Sequence, residues 1–173
     1  MASRPAAGFT LIELMVTIGI AAILLALALP SFTESIRSNR VSTATNQILA
    51  TINLARAEAL RSKSSARVCP TLDGVQCATT WDEKAGMLVW TDENGNNKFD
   101  ASKVKRVIEP QEGIVTTVTG FNEIGFDDRG RTLDQKTRAF TIKAAQCKTG
   151  AYNVRSFDIS RTGRVTVIRG TCP

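Results

Sequence analysis

Ten Lys and Arg residues fall between positions 129 and 173, where only Asp134 and Asp158 oppose them. The preceding 128 residues carry 12 bases against 14 acids, so the basic excess is confined to the C-terminal quarter. Within it, Arg161 and Arg164 bracket Thr162-Gly163, and Arg129 and Arg131 bracket Gly130. A guanidinium at a loop tip can offer its planar fork to two phosphate oxygens at once. Candidate anion contacts are therefore Arg161, Arg164, Arg169, Arg155 and Lys148. A two-residue turn at Thr162-Gly163 is expected to set Arg161 beside Arg164, where their mutual repulsion would be relieved by an anion. Only Phe140, Tyr152 and Phe157 interleave the basic positions. Base stacking is not expected, and the partner this charge would suit is an anionic one that presents phosphate oxygens. The competing reading is a solvated basic face, which is what most charge runs are.

Other reactive groups point away from catalysis. The chain has no histidine, no P-loop and no dinucleotide fingerprint, so it is expected to be no enzyme and to need no cofactor. Cys69 and Cys77 lie eight positions apart, and Cys147 and Cys172 lie 25 apart. Without histidine or Cys-x-x-Cys these suit disulfides in an oxidising compartment rather than a metal site. Four cysteines allow three pairings, and neighbour pairing, which closes two local loops, is the expected one. The stretch from Asp92 to Asp100 places Asp92, Asn94 and Asn96 at calcium-loop spacing. However, Asn97 stands where the turn glycine belongs and Lys103 where the bidentate Glu belongs, so a β-turn is expected.

The elements that position these groups begin with an apolar run. From residue 9 to 29 the only polar side chains are Thr10, Glu13 and Thr17. As a helix this spans about 31 Å, enough to cross a bilayer. The leader before it carries Arg4 and no acid, which favours a cytoplasmic N-terminus. A secretory signal cut near Ala26-Leu27-Ala28 is the alternative. Glu13 is costly in such a span, roughly 3 kcal/mol. Beyond Pro30, Val41, Ala44, Ile48, Ile52, Ala55 and Ala59 form one apolar stripe, and the pattern predicts a helix to about residue 62, with kinks possible near Gly19 and Pro30. After it, β-rich runs are predicted at 66–69, 87–91, 104–109, 114–118, 123–126, 139–144, 154–159 and 164–169. The fold class expected is α+β: a long N-terminal helix, half transmembrane and half amphipathic, packed on an antiparallel β-sheet head.

The stretch Gly8-Phe9-Thr10-Leu11-Ile12-Glu13-Leu14 resembles the leader motif of type IV pilins and type II secretion pseudopilins. Ala55 to Arg61, Cys69, Trp81, Gly86 and Trp90 to Asn96 resemble minor pilins of the FimT, FimU and GspH type. The resemblance implies a pilin-like fold and four segments: leader 1–8, transmembrane or fibre-core helix 9–30, amphipathic helix 31–62, and head 63–173. It implies cleavage after Gly8 by a prepilin peptidase that also methylates the Phe9 amine. That new amine gives Glu13 a partner on a neighbouring subunit, and such a pair would set the register of stacked helices. The implied partners are other pilins through the helix and the inner membrane before assembly. The head would then lie in the periplasm and later on an extracellular fibre. In the FimT branch a C-terminal Gly-Arg-x-Arg element is implicated in DNA capture for natural transformation. Here it reads Gly163-Arg164-Val165-Thr166, without the second arginine. The expected function is a minor pilin of a type IV pilus that binds double-stranded DNA, without sequence preference, through its arginines. The alternative is a GspH-type pseudopilin of a type II secretion system with no DNA binding.

Overall fold

The computed structural model describes residues 8–82 and 85–173, with backbone alone at 29–31. Residues 1–7 of the expected 1–8 leader lie outside the described residues. The chain divides into two compact units, one ending at Ile36 and the other Arg37–Pro173, with helix α1 (Leu11–Ser62) contributing to both.

In the first unit, Thr10 opens the helix. Its hydroxyl oxygen accepts the Glu13 N–H at 3.3 Å, and its carbonyl accepts the Leu14 N–H at 3.2 Å. Thr at the N-cap and Glu three residues later is the capping-box spacing, and a carboxylate in the first turn complements the positive end of the helix dipole. Glu13 therefore has a local role at the helix start. All described side chains of residues 11–28 are exposed. The segment is long and apolar enough to cross a membrane, with mean hydropathy 2.5 over its best window.

In the second unit, the predicted stripe is the buried face of α1: Val41, Ala44, Ile52, Ala55 and Ala59 are 0% exposed and Ile48 is 5% exposed. Thr45 and Thr51, also buried, return their hydroxyls to the carbonyls of Val41 and Gln47, so they bury no free donor. The helix stops where Lys63 takes a positive φ of 49°, a left-handed residue just past the last turn.

All eight predicted strands are present: β1 (Ser65–Thr71), β2 (Gly86–Asp92), β3 (Val104–Ile108), β4 (Ile114–Val118), β5 (Ile124–Phe126), β6 (Arg138–Ala144), β7 (Val154–Ile159) and β8 (Val165–Gly170). They form two antiparallel four-stranded sheets, ordered β3-β2-β1-β5 and β4-β6-β7-β8, rather than a single sheet. Residues from α1 and from both sheets meet in one hydrophobic core. The first sheet also carries a smaller cluster of Cys69, Leu88 and Trp90, with Cys77, Phe99 and Val104 against it. Covered on both faces, β2 is buried along its whole length. Cys69–Cys77 and Cys147–Cys172 are disulfide-bonded, and no described cysteine is free.

Candidate nucleic-acid interface

Two five-residue turns carry most of the uncommitted arginines, and they are built alike. The first runs Asp127-Asp128-Arg129-Gly130-Arg131 and the second Ser160-Arg161-Thr162-Gly163-Arg164. In each, the first residue's N–H donates to the carbonyl of the fifth, at 2.8 Å and 2.9 Å. In each, the glycine N–H donates back to the first carbonyl, at 2.9 Å and 2.8 Å, with glycine φ of 73° and 77°. The side chain of the first residue then accepts the N–H of the last arginine: Asp127 Oδ1 at 2.8 Å and Ser160 Oγ at 3.1 Å.

The second turn corrects the sequence reading. Ser160, not Arg161, stands opposite Arg164, and Arg161-Thr162-Gly163 is a three-residue loop. The physical reason lies in Thr162. A tight two-residue turn of the kind that suits a twisted hairpin needs φ > 0 at its first central residue, and a β-branched threonine avoids that region. The longer loop places the left-handed conformation on Gly163 alone. Arg161 and Arg164 are consequently not a directly facing pair.

The turns are stacked on each other and held by the helix. Arg56 Nε donates to the Gly130 carbonyl at 2.9 Å, and its Nη2 donates to the Thr162 carbonyl at 3.2 Å. The Thr132 N–H, just past the first turn, donates to the Arg161 carbonyl at 3.0 Å. Gly163 is buried against Gly130, and a Cβ at Gly163 would overlap the Gly130 carbonyl oxygen and lie 2.9 Å from Arg56 Nε. Lying off the apolar stripe, Arg56 is a residue positioning both turns that periodicity does not single out. Its signal is the pair of x-x-x-Gly-Arg turns, whose stacked glycines leave carbonyls that need a donor.

The two turns differ in charge balance. Asp127 Oδ2 accepts Arg131 Nε at 2.9 Å and pairs with its Nη2 at 2.8 Å, which neutralises Arg131. Burial tends to raise the Asp127 carboxyl, but hydrogen bonds from Arg131 and Arg129 outweigh it and hold the group below its ordinary value. In the second turn uncharged Ser160 occupies the corresponding place. Arg129, Arg161 and Arg164 are exposed, and their side chains pair with no described residue.

The remaining candidates lie elsewhere. Arg155 and Arg169 face each other in register where β7 and β8 end, across strands about 17 Å long from the loop at Gly163. Lys148 is exposed on the neighbouring loop, tied down by Cys147–Cys172. Arg155 is not a surface contact: it is 8% exposed, because its position on β7 points into the same face as Phe157 and Ile159. The five expected DNA contacts thus separate into Arg161 and Arg164 at one end of the hairpin and Lys148, Arg155 and Arg169 at the other.

The Asp92 stretch is a turn: Asp92 Oδ1 accepts the Asn96 N–H at 3.1 Å and its Oδ2 accepts the Asn97 N–H at 2.8 Å. With its carboxylate occupied by backbone donors, Asp92 serves the loop's shape.

An apolar helix that continues into the spine of a two-sheet head, capped and glutamate-bearing at its start, defines a pilin-like structural subunit rather than an enzyme. The sequence profile of the family described as Type II transport protein GspH matches residues 44–163, and that of the prokaryotic N-terminal methylation motif matches residues 3–29. The chain belongs to the GspH family. No curated protein matches the sequence. Among solved structures the chain is similar to the type IV minor pilin FimU of Pseudomonas aeruginosa strain PAO1. The two are 19% identical with a TM-score of 0.56, over 75% of this chain and 89% of that one. A second crystal form of FimU gives 18% and 0.55, over 73% and 91%. The minor pseudopilin EpsH from the type 2 secretion system of Vibrio cholerae is 12% identical with a TM-score of 0.49, over 75% and 97%. At these identities the likeness concerns the fold. Proteins of this class assemble with other pilins into pili or pseudopili.

Proposed function

We propose that the chain is a minor pilin of a type IV pilus whose head binds the DNA backbone at the stacked turns. The observation that carries this reading is the set of three arginines, Arg129, Arg161 and Arg164, on two stacked turns joined by Arg56, none of them ion-paired, although Asp128 adjoins Arg129 and offsets part of the charge. Such a platform suits phosphates spaced along a duplex and offers no base-reading geometry. In the same reading, a prepilin peptidase removes residues 1–8 after Gly8 and methylates the Phe9 amine. Residues 9–30 hold the subunit in the inner membrane and then in the fibre core, residues 31–62 carry the amphipathic helix, and residues 63–173 form the exposed head. Glu13, whose own N–H is capped by Thr10, pairs through its carboxylate with the Phe9 amine of a neighbour.

The charge difference between the two turns supplies the test. Ser160→Asp should do to Arg164 what Asp127 does to Arg131, in a backbone frame that accepts aspartate in the first turn. The full chain in detergent micelles is titrated with a duplex fragment at increasing salt. Three phosphate contacts give a slope of log affinity against log salt near roughly −2.7, and S160D should lower its magnitude by about one. Binding that ignores salt, or a slope unchanged in S160D, defeats the proposal. A second reading, a type II secretion pseudopilin with no DNA binding, is favoured by the description of the GspH family. Absence of any duplex binding is what it requires.

A further inference from the structure

The other end of the β7–β8 hairpin holds a second cationic group, with a different architecture. Arg155 is nine-tenths buried, and its Nη1 donates to the carbonyls of Tyr152 at 2.9 Å and Val154 at 2.8 Å. Its Nε and Nη2 donate to no described atom, and no carboxylate of a described residue pairs with it. Arg169, directly opposite in the sheet, stands over the Tyr152 ring with its guanidinium carbon 5.1 Å from the centroid. One residue thus organises both cations, Tyr152 gripping Arg155 by its carbonyl and Arg169 by its ring. Burial, and then the charge of Arg169, pull the Arg155 guanidinium below its ordinary value, so the pair carries an unrelieved positive field.

Two cations held together in a sheet without a counter-ion cost stability unless something supplies the missing charge. The free edge of Arg155, Nε with Nη2, is the side of a guanidinium that can donate two parallel hydrogen bonds to a carboxylate. We infer that Arg155, Arg169 and Tyr152 form a socket for a side-chain carboxylate of a neighbouring protein subunit. The recess favours this occupant over DNA. A carboxylate on a flexible side chain can reach a guanidinium that is 8% exposed, whereas a stiff duplex meets exposed tips such as Arg161 and Arg164. Tyr152, 58% exposed beside the cations, adds the aromatic rim that protein interfaces favour. The Cys147–Cys172 bond and the Cys172 N–H, which donates to the Ala151 carbonyl at 2.8 Å, fix the loop leading into Tyr152. The socket rests on the assembly of pilins with one another and is independent of the DNA reading.

Tyr152 is the only tyrosine in the chain, which makes the socket addressable. The full chain is produced with 3-fluorotyrosine and followed by fluorine NMR in detergent micelles, with sodium acetate titrated against sodium chloride at constant ionic strength. Acetate should move the single resonance saturably and chloride should not. Arg155→Lys keeps the charge but loses the fork, and Arg169→Gln removes an exposed cation without touching the core. Each should weaken the acetate response several-fold, while Arg161→Ala leaves it intact. A response to acetate no greater than to chloride overturns the socket, as does an undiminished response in both R155K and R169Q. A resonance moved by a duplex DNA fragment but not by acetate overturns it too, and would assign these residues to the nucleic-acid face.

Discussion

Replacing Gly163 by alanine tests whether the two turns act as one body. Gly163 has φ of 77°, where an L-residue is strained by about 1–2 kcal/mol. The added Cβ would also overlap the Gly130 carbonyl oxygen, which is itself the acceptor for Arg56 Nε at 2.9 Å. Relieving the overlap moves that carbonyl and breaks a charged hydrogen bond worth about 1.5–3 kcal/mol. The expected loss is about 3–4 kcal/mol, a large share of the total for a domain of this kind. Gly95 is the internal control, since it has φ of 64° but nothing within 4 Å of the place its Cβ would take, so Gly95→Ala should show the strain alone. Both variants are unfolded with urea as full chains in micelles and followed by tryptophan fluorescence, to which the buried Trp90 contributes. With about 2 kcal/mol per molar urea, G163A should shift the midpoint down by roughly 1.5–2 M and G95A by roughly 0.5–1 M. Equal shifts for the two variants would refute the stacked arrangement and with it the rigid platform for Arg129, Arg161 and Arg164.

Glu93 is held down to about 2, chiefly by the Lys103 ammonium donating at 2.6 Å and then by the Thr91 hydroxyl. A lowered carboxylate stabilises the fold above its ordinary value of 4.5 and loses that contribution as pH falls through about 2. Urea midpoints of Glu93→Gln should therefore fall less steeply than those of the parent across that window, and identical acid limbs would rule out the pair as a contributor. Glu13→Gln should keep the helix, because Thr10 caps through the residue 13 N–H rather than its carboxylate. The variant should sediment with membranes like the parent but appear in sheared fibres roughly a hundredfold less, reflecting about 3 kcal/mol lost when one member of a low-dielectric pair is removed. Parental levels in the fibres would end the register role.

The helix stripe and the eight strands were readable in the sequence because each follows from a local periodicity, the helical one for Val41 to Ala59 and short β-branched runs thereafter. Their division into two sheets was not, since it depends on which strands pair over long separations. Nothing local in Gly86–Asp92 announces that the Cys69–Trp90 cluster covers its second face. The arginine-rich C-terminal quarter was visible as composition, but its separation into two ends required the register of β7 on β8. Arg155 shows the limit most directly: as a charge it equals Arg161, yet strand alternation turns it inward. The Thr10–Glu13 cap, by contrast, was legible as Thr-x-x-Glu and was obscured by the cost of the carboxylate in an apolar run.

Arg56 reaches partners 74 and 106 positions further along the chain. Contacts of that span are slow to form, because the intervening chain must be ordered before they reward closure. Until the last hairpin has folded back, Gly130 has no Gly163 to lie against and Arg56 lacks its second acceptor. The arginine platform is therefore assembled late, and it reports completion. A head arrested before β8 joins its sheet would still carry every helical arginine and the first turn, but in no fixed relation. Such an unfinished subunit would present scattered charges rather than a working surface.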